Sequence, residues 1–241
     1  MKKSGFLLIR ICIFYVFIIL PKSKAVCQHT STEQIRDTIV LINPSFEGKP
    51  ARGGEYPWNL RGWKDFGSLL FENESPPDIH PNNYWRNNQA PSHGLSYVGL
   101  VGRIDGSYEA ISQTIWKLLK TGSTYEFSLD MCIPSAYYSP VRSNFTPEGR
   151  AFYDEIFNFN NPAKINIEGL TQKGRRTLLD SSQVVDHTDW RKYTFILKPD
   201  EDVSTIILSI GFATKNPQYC AMLIDNASDI IEISEDSDIK K

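Results

Sequence analysis

Thr124-Tyr125-Glu126-Phe127-Ser128-Leu129-Asp130-Met131 alternates polar and apolar residues without a break. Successive side chains of an extended chain point to opposite sides, so Tyr125, Phe127, Leu129 and Met131 share one face and Thr124, Glu126, Ser128 and Asp130 the other. A strand that packs on one side and meets water on the other reads this way. The period recurs in Ile206, Leu208, Ile210 and Phe212, in Tyr193, Phe195 and Leu197, and in Ile165 and Ile167. Turn signals such as Lys120-Thr121-Gly122-Ser123 and Lys198-Pro199-Asp200 separate these runs. Short one-sided strands between turns predict an all-β fold, two antiparallel sheets packed face to face.

Two regions interrupt the alternation. Residues 47–92 are dense in Gly, Pro and Asn, interleaved with Trp58, Trp63, Tyr84 and Trp85. Residues 133–162 form the second. Within it Thr146-Pro147-Glu148 has a cap residue followed by proline, and Phe152 and Ile156 lie four apart, which predicts one short helix over 147–157. Long loops in a compact domain are frequently functional, and both of these carry aromatic side chains.

The ends of the chain read differently. Lys2 and Lys3 precede Ile11 to Leu20, an uncharged run of ten residues, half the length that spans a bilayer. This predicts a signal peptide over 1–25, with cleavage after Ala25 or after Cys27 and a lipid anchor on Cys27 as a third option. Residues 26–38 read as a flexible lead-in, 39–234 as the sandwich and 235–241 as a polar tail. Removing residues 1–25 takes away Lys2, Lys3, Arg10, Lys22 and Lys24 and no acid, so the 26 basic residues become 21 against 28 acidic ones, a net charge of −7. Nucleic-acid binding needs clustered cations, and the only tight group, Lys173 to Arg176, surrounds Gly174 and reads as a turn. Cys132 and Cys220 lie at strand edges, and export permits a disulfide between them as readily as two half-buried thiols.

Two phrases bracket the strand-rich part: Asn43-Pro44-Ser45-Phe46-Glu47-Gly48 with Gly62-Trp63, and Leu223-Ile224-Asp225-Asn226-Ala227-Ser228. They resemble the opening and closing strands of secreted jelly-roll domains of the galactose-binding-like class, the fold of many carbohydrate-binding modules. Pro162-Ala163-Lys164-Ile165-Asn166-Ile167-Glu168-Gly169, Leu178-Leu179-Asp180-Ser181-Ser182 and Trp190-Arg191-Lys192-Tyr193 are similar to the central part of such domains in surface proteins of gliding Gram-negative bacteria. The resemblance implies a structural Ca2+ held by Glu47 and Asp225 with backbone carbonyls of Ser92 to Ser96, and oxygen donors suit that hard cation. It also implies that Trp63 and Trp190 are core residues.

Sugar rings present apolar C–H faces and need flat side chains with amides and charges around them. Tyr84 and Trp85 sit among Asn82, Asn83, Arg86, Asn87, Asn88 and Gln89, and Tyr137 with Tyr138 form a second pair. Ser75-Pro76-Pro77-Asp78-Ile79-His80 would hold Asp78 and His80 on a backbone stiffened by two prolines, or else Asp78 bonds its own turn. Signatures of catalysis are lacking: there is no Gly-x-Ser-x-Gly, no His-Glu-x-x-His and no phosphate loop. The reading is a secreted or cell-surface binding domain for a glycan or polysaccharide, with a surface-assembly or adhesion role toward another protein as the alternative and a jelly-roll polysaccharide-degrading enzyme third.

Overall fold

The computed structural model describes residues 37–54, 58–72, 74–81, 83–145 and 151–233. The expected signal peptide, most of the lead-in, the polar tail and the helix start at Thr146-Pro147 lie outside these residues. No helix among the described residues is long and apolar enough to cross a membrane.

Two antiparallel sheets carry the fold. The first contains β1 (Thr38–Ile39), β3 (Asp78–His80), β4 (Tyr97–Gly102), β6 (Thr124–Cys132), β11 (Arg191–Leu197), β13 (Cys220–Asp225) and β14 (Ile230–Ile233), in the order β1-β14-β6-β13-β4-β3 with β11 on β6. The second runs β10 (Arg176–Ser181), β9 (Ala163–Thr171), β12 (Val203–Phe212), β5 (Ala110–Leu119), β2 (Lys64–Asp65). One short helix, α1, spans Gly67–Leu70.

The alternating segment Thr124 to Met131 is the hub of the first sheet. One edge of β6 pairs with β11 from Leu197↔Tyr125 to Arg191↔Met131. Its other edge pairs with β14 at one end and with β13 at the other. Tyr125, Phe127, Leu129 and Met131 point into the space between the sheets, where they meet Ile165, Ile167, Ile206, Leu208 and Ile210 from β9 and β12. Phe46 and Trp63, from the opening phrase, join this core with ring centroids 5.0 Å apart.

Strands β4 and β13 of the first sheet are buried on both faces, and this sets the position of the functional region. A second apolar cluster lies on the sheet's outer side: Tyr97, Val101, Cys132, Tyr137, Phe159, Ala221 and Leu223, with Trp85, Phe157, Trp190 and Tyr219 packed against it. Strands covered on both sides lose their alternation, which is why every residue of β4 and β13 is buried. Trp190 closes this cluster, edge-on to Tyr97 at 5.4 Å.

The cover on the outer side includes a hairpin where a helix was expected. Residues 151–157 belong to β8 (Ala151–Asn158), which pairs antiparallel with β7 (Tyr138–Phe145) from Tyr138↔Asn158 to Phe145↔Ala151. Residues four apart share a face in a strand as well as in a helix, so the Phe152–Ile156 spacing did not discriminate. The aromatic and β-branched residues of 152–157 favour a strand once a partner is present, and β7 supplies one.

Cys132 and Cys220 are both free thiols. Cys132 lies opposite Leu223 and packs in the outer cluster, whereas Cys220 packs in the inner core, so the two side chains leave the sheet on opposite faces. Lys173 and Gly174 do lie in a turn, with Gly174 at φ 82°, whereas Arg176 already opens β10.

Candidate functional site

Asp78 and His80 occupy alternate positions of β3 and both face the outer cluster, while Ile79 between them faces the inner core. Asp78 does not bond its own turn. Its Oδ1 accepts from the Gly53 amide at 2.6 Å, and its Oδ2 accepts from Trp85 Nε1 at 2.7 Å and from the Tyr137 hydroxyl. One buried carboxylate therefore ties three segments together. Burial pushes the Tyr137 hydroxyl well above its ordinary pKa and Asp78 pushes it further, so the phenol keeps its proton and donates.

His80 stacks on Tyr97 at 5.2 Å and 16° and meets the edge of Tyr137 at 5.7 Å. Gly99 of β4 permits this, since a Cβ there would stand 3.0 Å from His80 Nε2. Asn87 donates to the Tyr97 hydroxyl at 3.1 Å, and that hydroxyl donates to the Gln89 carbonyl at 2.8 Å. Segment 84–90 is thereby stitched to β4.

On this base stands a ledge. Tyr84–Arg86 forms a single 3-10 turn, and Asn83, Trp85 and Arg86 all have φ of 59°. Left-handed backbone at side chains larger than glycine costs about 1–3 kcal/mol each and persists only where the surroundings enforce it. Here the anchor is the indole N–H on Asp78. The Arg52 guanidinium lies over the Tyr84 ring at 4.7 Å and near the Trp85 ring at 5.9 Å, while Arg86 lies over Tyr138 at 5.0 Å. Trp85 stacks on Tyr137 at 6.4 Å and 30°. Asn83, Arg52, Arg86 and Tyr138 are exposed, and Tyr84 and Trp85 are half-buried.

The fold thus gathers Tyr84, Trp85, Arg86, Asp78, Tyr137 and Tyr138 in one place, with Asn83 at the start of the turn. It divides them by depth: Tyr137, 1% exposed, and Asp78 lie beneath the surface as supports. Arg52 was not foreseen, because Ala51-Arg52-Gly53-Gly54 reads as a plain turn and only the bridge from Ala51 to Ile79 brings it beside Tyr84. A buried ion group lies in the same neighbourhood. Arg103 pairs with Glu74 and Glu109, each at 3.0 Å, and burial raises the Glu109 carboxyl while Arg103 opposes the rise.

Glu47 and Asp225 converge on one loop. Both Glu47 carboxylate oxygens accept from the Leu95 amide, at 2.9 and 3.1 Å, and Asp225 Oδ2 accepts from the His93 amide at 2.8 Å. A Cβ on Gly94, whose φ is 64°, would fall 1.8 Å from Glu47 Oε1, so this approach requires glycine. Ser45 Oγ lies 2.6 Å from His93 Nδ1 and 3.4 Å from Asp225 Oδ1. The donors are hard oxygens of the kind calcium takes. Two carboxylates fall short of a complete ligand set, and the described residues contain no group of three His, Cys, Asp or Glu side chains able to hold a metal. Hydroxyl and carbonyl oxygens of this loop would have to complete a cation site.

Elsewhere, a shallow depression of about 330 Å³ on the outer side of the second sheet is lined by Asn166, Glu168, Arg176, Thr177 and Leu178. Its charges satisfy each other, Arg176 Nε lying 3.0 Å from Glu168, and no ring lines it. His187 is held by the Asp189 carbonyl and the Tyr193 hydroxyl, both at 2.7 Å, in a turn.

No protein-family profile matches the chain, and no curated protein does. Solved structures similar to it include a Stig cyclase, Fisc, from Fischerella sp. TAU in complex with an indole compound, with a TM-score of 0.50, 13% identity and coverage of 83% of this chain and 100% of that one. The CBM22-1 xylan-binding domain of Xyn10C from Paenibacillus barcinonensis aligns with a TM-score of 0.45, 15% identity and coverage of 83% and 97%. A CBM4 structure aligns with a TM-score of 0.41, 15% identity and coverage of 80% and 99%. The cyclase likeness shows a common fold, the two-sheet jelly-roll sandwich, and at this identity it shows the fold alone. None of these comparisons supports an origin among surface proteins of gliding bacteria.

Proposed function

We propose that the chain is a non-catalytic glycan-binding domain that works outside the cytoplasm, and that its ligand meets the ledge of Tyr84, Trp85 and Tyr138 with Asn83, Arg52 and Arg86. The observation that carries this reading is the anchoring of the ledge. A strained turn bearing aromatic, amide and guanidinium groups is clamped to a sheet strand by a buried carboxylate, which is how a binding surface is kept rigid before its ligand arrives. Asp78 already accepts three hydrogen bonds, which suits a support and not a general acid. Of the solved structures, one is named for binding xylan; the present proposal stands on the side chains.

Calcium at Glu47 and Asp225 belongs to the same proposal as a stabiliser of the loop at 93–95. Bound there, it would contribute charge neutralisation to a desolvated carboxylate.

The test is a glycan array probed with the full chain and with Tyr138→Ala. Binding by the parent that the variant loses at unchanged melting temperature supports the proposal. If the parent binds no glycan, the surface-assembly alternative, contact with another protein, takes its place.

A further inference from the structure

The chain has five tryptophans, and four of them are tied into the fold by the indole N–H. Trp58, Trp63 and Trp190 donate to the carbonyls of Pro77, Asn43 and Ala90, and Trp85 donates to Asp78. Trp116 of β5 does the opposite. It is 69% exposed, its N–H has no acceptor among the described residues, and no ring or guanidinium lies on it. On the ledge, by contrast, each ring already touches another ring or a guanidinium.

The backbone puts Trp116 there. β5 and β12 run in register as far as Thr205↔Thr114, and the next pair is Val203↔Leu119, so Ser204 alone faces Ile115, Trp116, Lys117 and Leu118. A bulge of this kind bends its strand and re-aims a side chain. Ile115 and Leu119 stay in the inner core while Trp116 is turned out. An indole in water adds nothing to core packing, so packing gives no reason for a tryptophan at this position.

Its neighbours are hydroxyls and paired charges. Thr114 lies two residues before Trp116 with Thr205 opposite it, their Oγ1 atoms 3.2 Å apart and exposed. One hydroxyl donates to the other, so the pair keeps a free proton and free lone pairs. Lys117 and Lys120 pair with Asp37 and Asp202, and Lys64 of β2 lies opposite Ser112, four residues back along β5. A bare aromatic face with an unused N–H, beside hydroxyls and neutralised charges, matches an uncharged sugar ring. Such a ring presents apolar C–H groups on its face and hydroxyls at its rim.

Val40 and Ile42 are exposed on the segment that Gln113 holds beside β5 through two hydrogen bonds to Ile42. A second copy of the chain is therefore the competing occupant, but the open N–H and the hydroxyl pair favour a sugar. We propose that Trp116, with Thr114 and Thr205, forms a second glycan contact, one that takes the C–H face of an uncharged polysaccharide. It belongs to the second sheet, whereas the ledge stands on the outer side of the first. The contact is thus separate from the ledge and does not depend on it.

The experiment oxidises the full chain with a small excess of N-bromosuccinimide and locates the modified indole by peptide mapping, with and without xylan, mixed-linkage β-glucan or galactomannan. In the free chain Trp116 should be oxidised ahead of the other tryptophans, and at least one of these uncharged polymers should protect it. Trp116→Ala should bind that polymer roughly tenfold or more weakly, because the burial of an aromatic face is lost. Its melting temperature should match the parent's, because the ring packs on little. Trp116→Phe, which keeps a flat ring and lacks the N–H, should fall between the two. Protection should persist in Tyr138→Ala; its disappearance there would place the sugar on the ledge and overturn the separate site. Protection by none of the polymers overturns it as well and leaves the ledge to be judged by its own array. Self-association of the parent in sedimentation that Trp116→Ala abolishes assigns the ring to a second copy and overturns the glycan contact.

Discussion

Asp225 of β13 and Asp130 of β6 stand directly opposite each other in the first sheet, and their surroundings drive their protonation in opposite directions. Burial acts to raise the Asp130 carboxyl, but hydrogen bonds from Ser92 and Asn226, with Lys192 nearby, outweigh it and hold the group below its usual range. Asp225 is fully buried, and desolvation lifts it to about 6 despite bonds from His93, Asn226 and Ser45.

A pH dependence follows for the metal-free protein. A carboxyl whose pKa is higher in the folded than in the unfolded state binds more protons when folded, so stability falls as pH rises. For Asp225 the stabilisation is present in full below about 4 and is lost as pH climbs through about 6. Melting temperature in chelator should therefore decline between pH 4 and 7, and Asp225→Asn should flatten that decline. A curve for Asp225→Asn parallel to the parent's would contradict the assignment.

Calcium should reverse the effect, since a cation beside Glu47 and Asp225 stabilises their ionised forms. At 100 times its dissociation constant a bound ion adds about 2.7 kcal/mol, a rise of a few degrees in melting temperature near neutral pH for a chain of this size. Gly94→Ala, which drives a Cβ into Glu47, should abolish the calcium-dependent shift. Identical melting curves with calcium and with chelator, and no metal on elemental analysis, would dispose of the site.

The Asp78 clamp predicts a division among the ledge residues. Asp78→Ala leaves three inward-facing donors without their acceptor, at about 1–3 kcal/mol for each buried group, so a loss of several kcal/mol is expected by urea unfolding. Trp85→Ala should also cost stability, as it removes the indole packed on Tyr137 and frees the strained turn. Tyr138→Ala, at a position 37% exposed, should stay within about 1 kcal/mol of the parent. Equal losses for Tyr138 and Asp78 would show that the ledge is core cover throughout.

Both described cysteines should resist modification in the folded state. Burial pushes the Cys132 thiol far above its ordinary pKa and the Cys220 thiol up to about 12, and the thiolate is the reactive form. Mass mapping after alkylation should find both unlabelled under native conditions and labelled after denaturation. Detection of a Cys132–Cys220 disulfide would contradict the opposite directions in which the two side chains leave the sheet.

The strand at Thr124 to Met131 was legible from its residues, because one side of it faces the sandwich core and the period of two survives in the sequence. The inward packing of Trp63 was implied by the resemblance of the phrase that carries it, whereas that of Phe46 came only with the structure. Burial on both faces erased that signal elsewhere: Tyr97-Val98-Gly99-Leu100-Val101-Gly102 and Cys220 to Asp225 show no alternation, so the outer aromatic cluster had no signature along the chain. A spacing of four at Phe152 and Ile156 serves strand and helix alike, and only pairing with β7 decided between them. The cluster of tyrosines and tryptophans was visible as composition, but its depth was not. Tyr137 and Tyr138 are neighbours in sequence, yet one is sealed against Asp78 and the other lies under Arg86 at the surface. Tyr138 opens β7 and Tyr137 precedes it; adjacent residues of extended chain face opposite ways, and which side is covered depends on segments brought from residues 51–53 and 84–90. The alternation of single strands is therefore a property of the sequence, whereas the ledge, its buried anchor and its two stacked arginines exist only where distant segments meet.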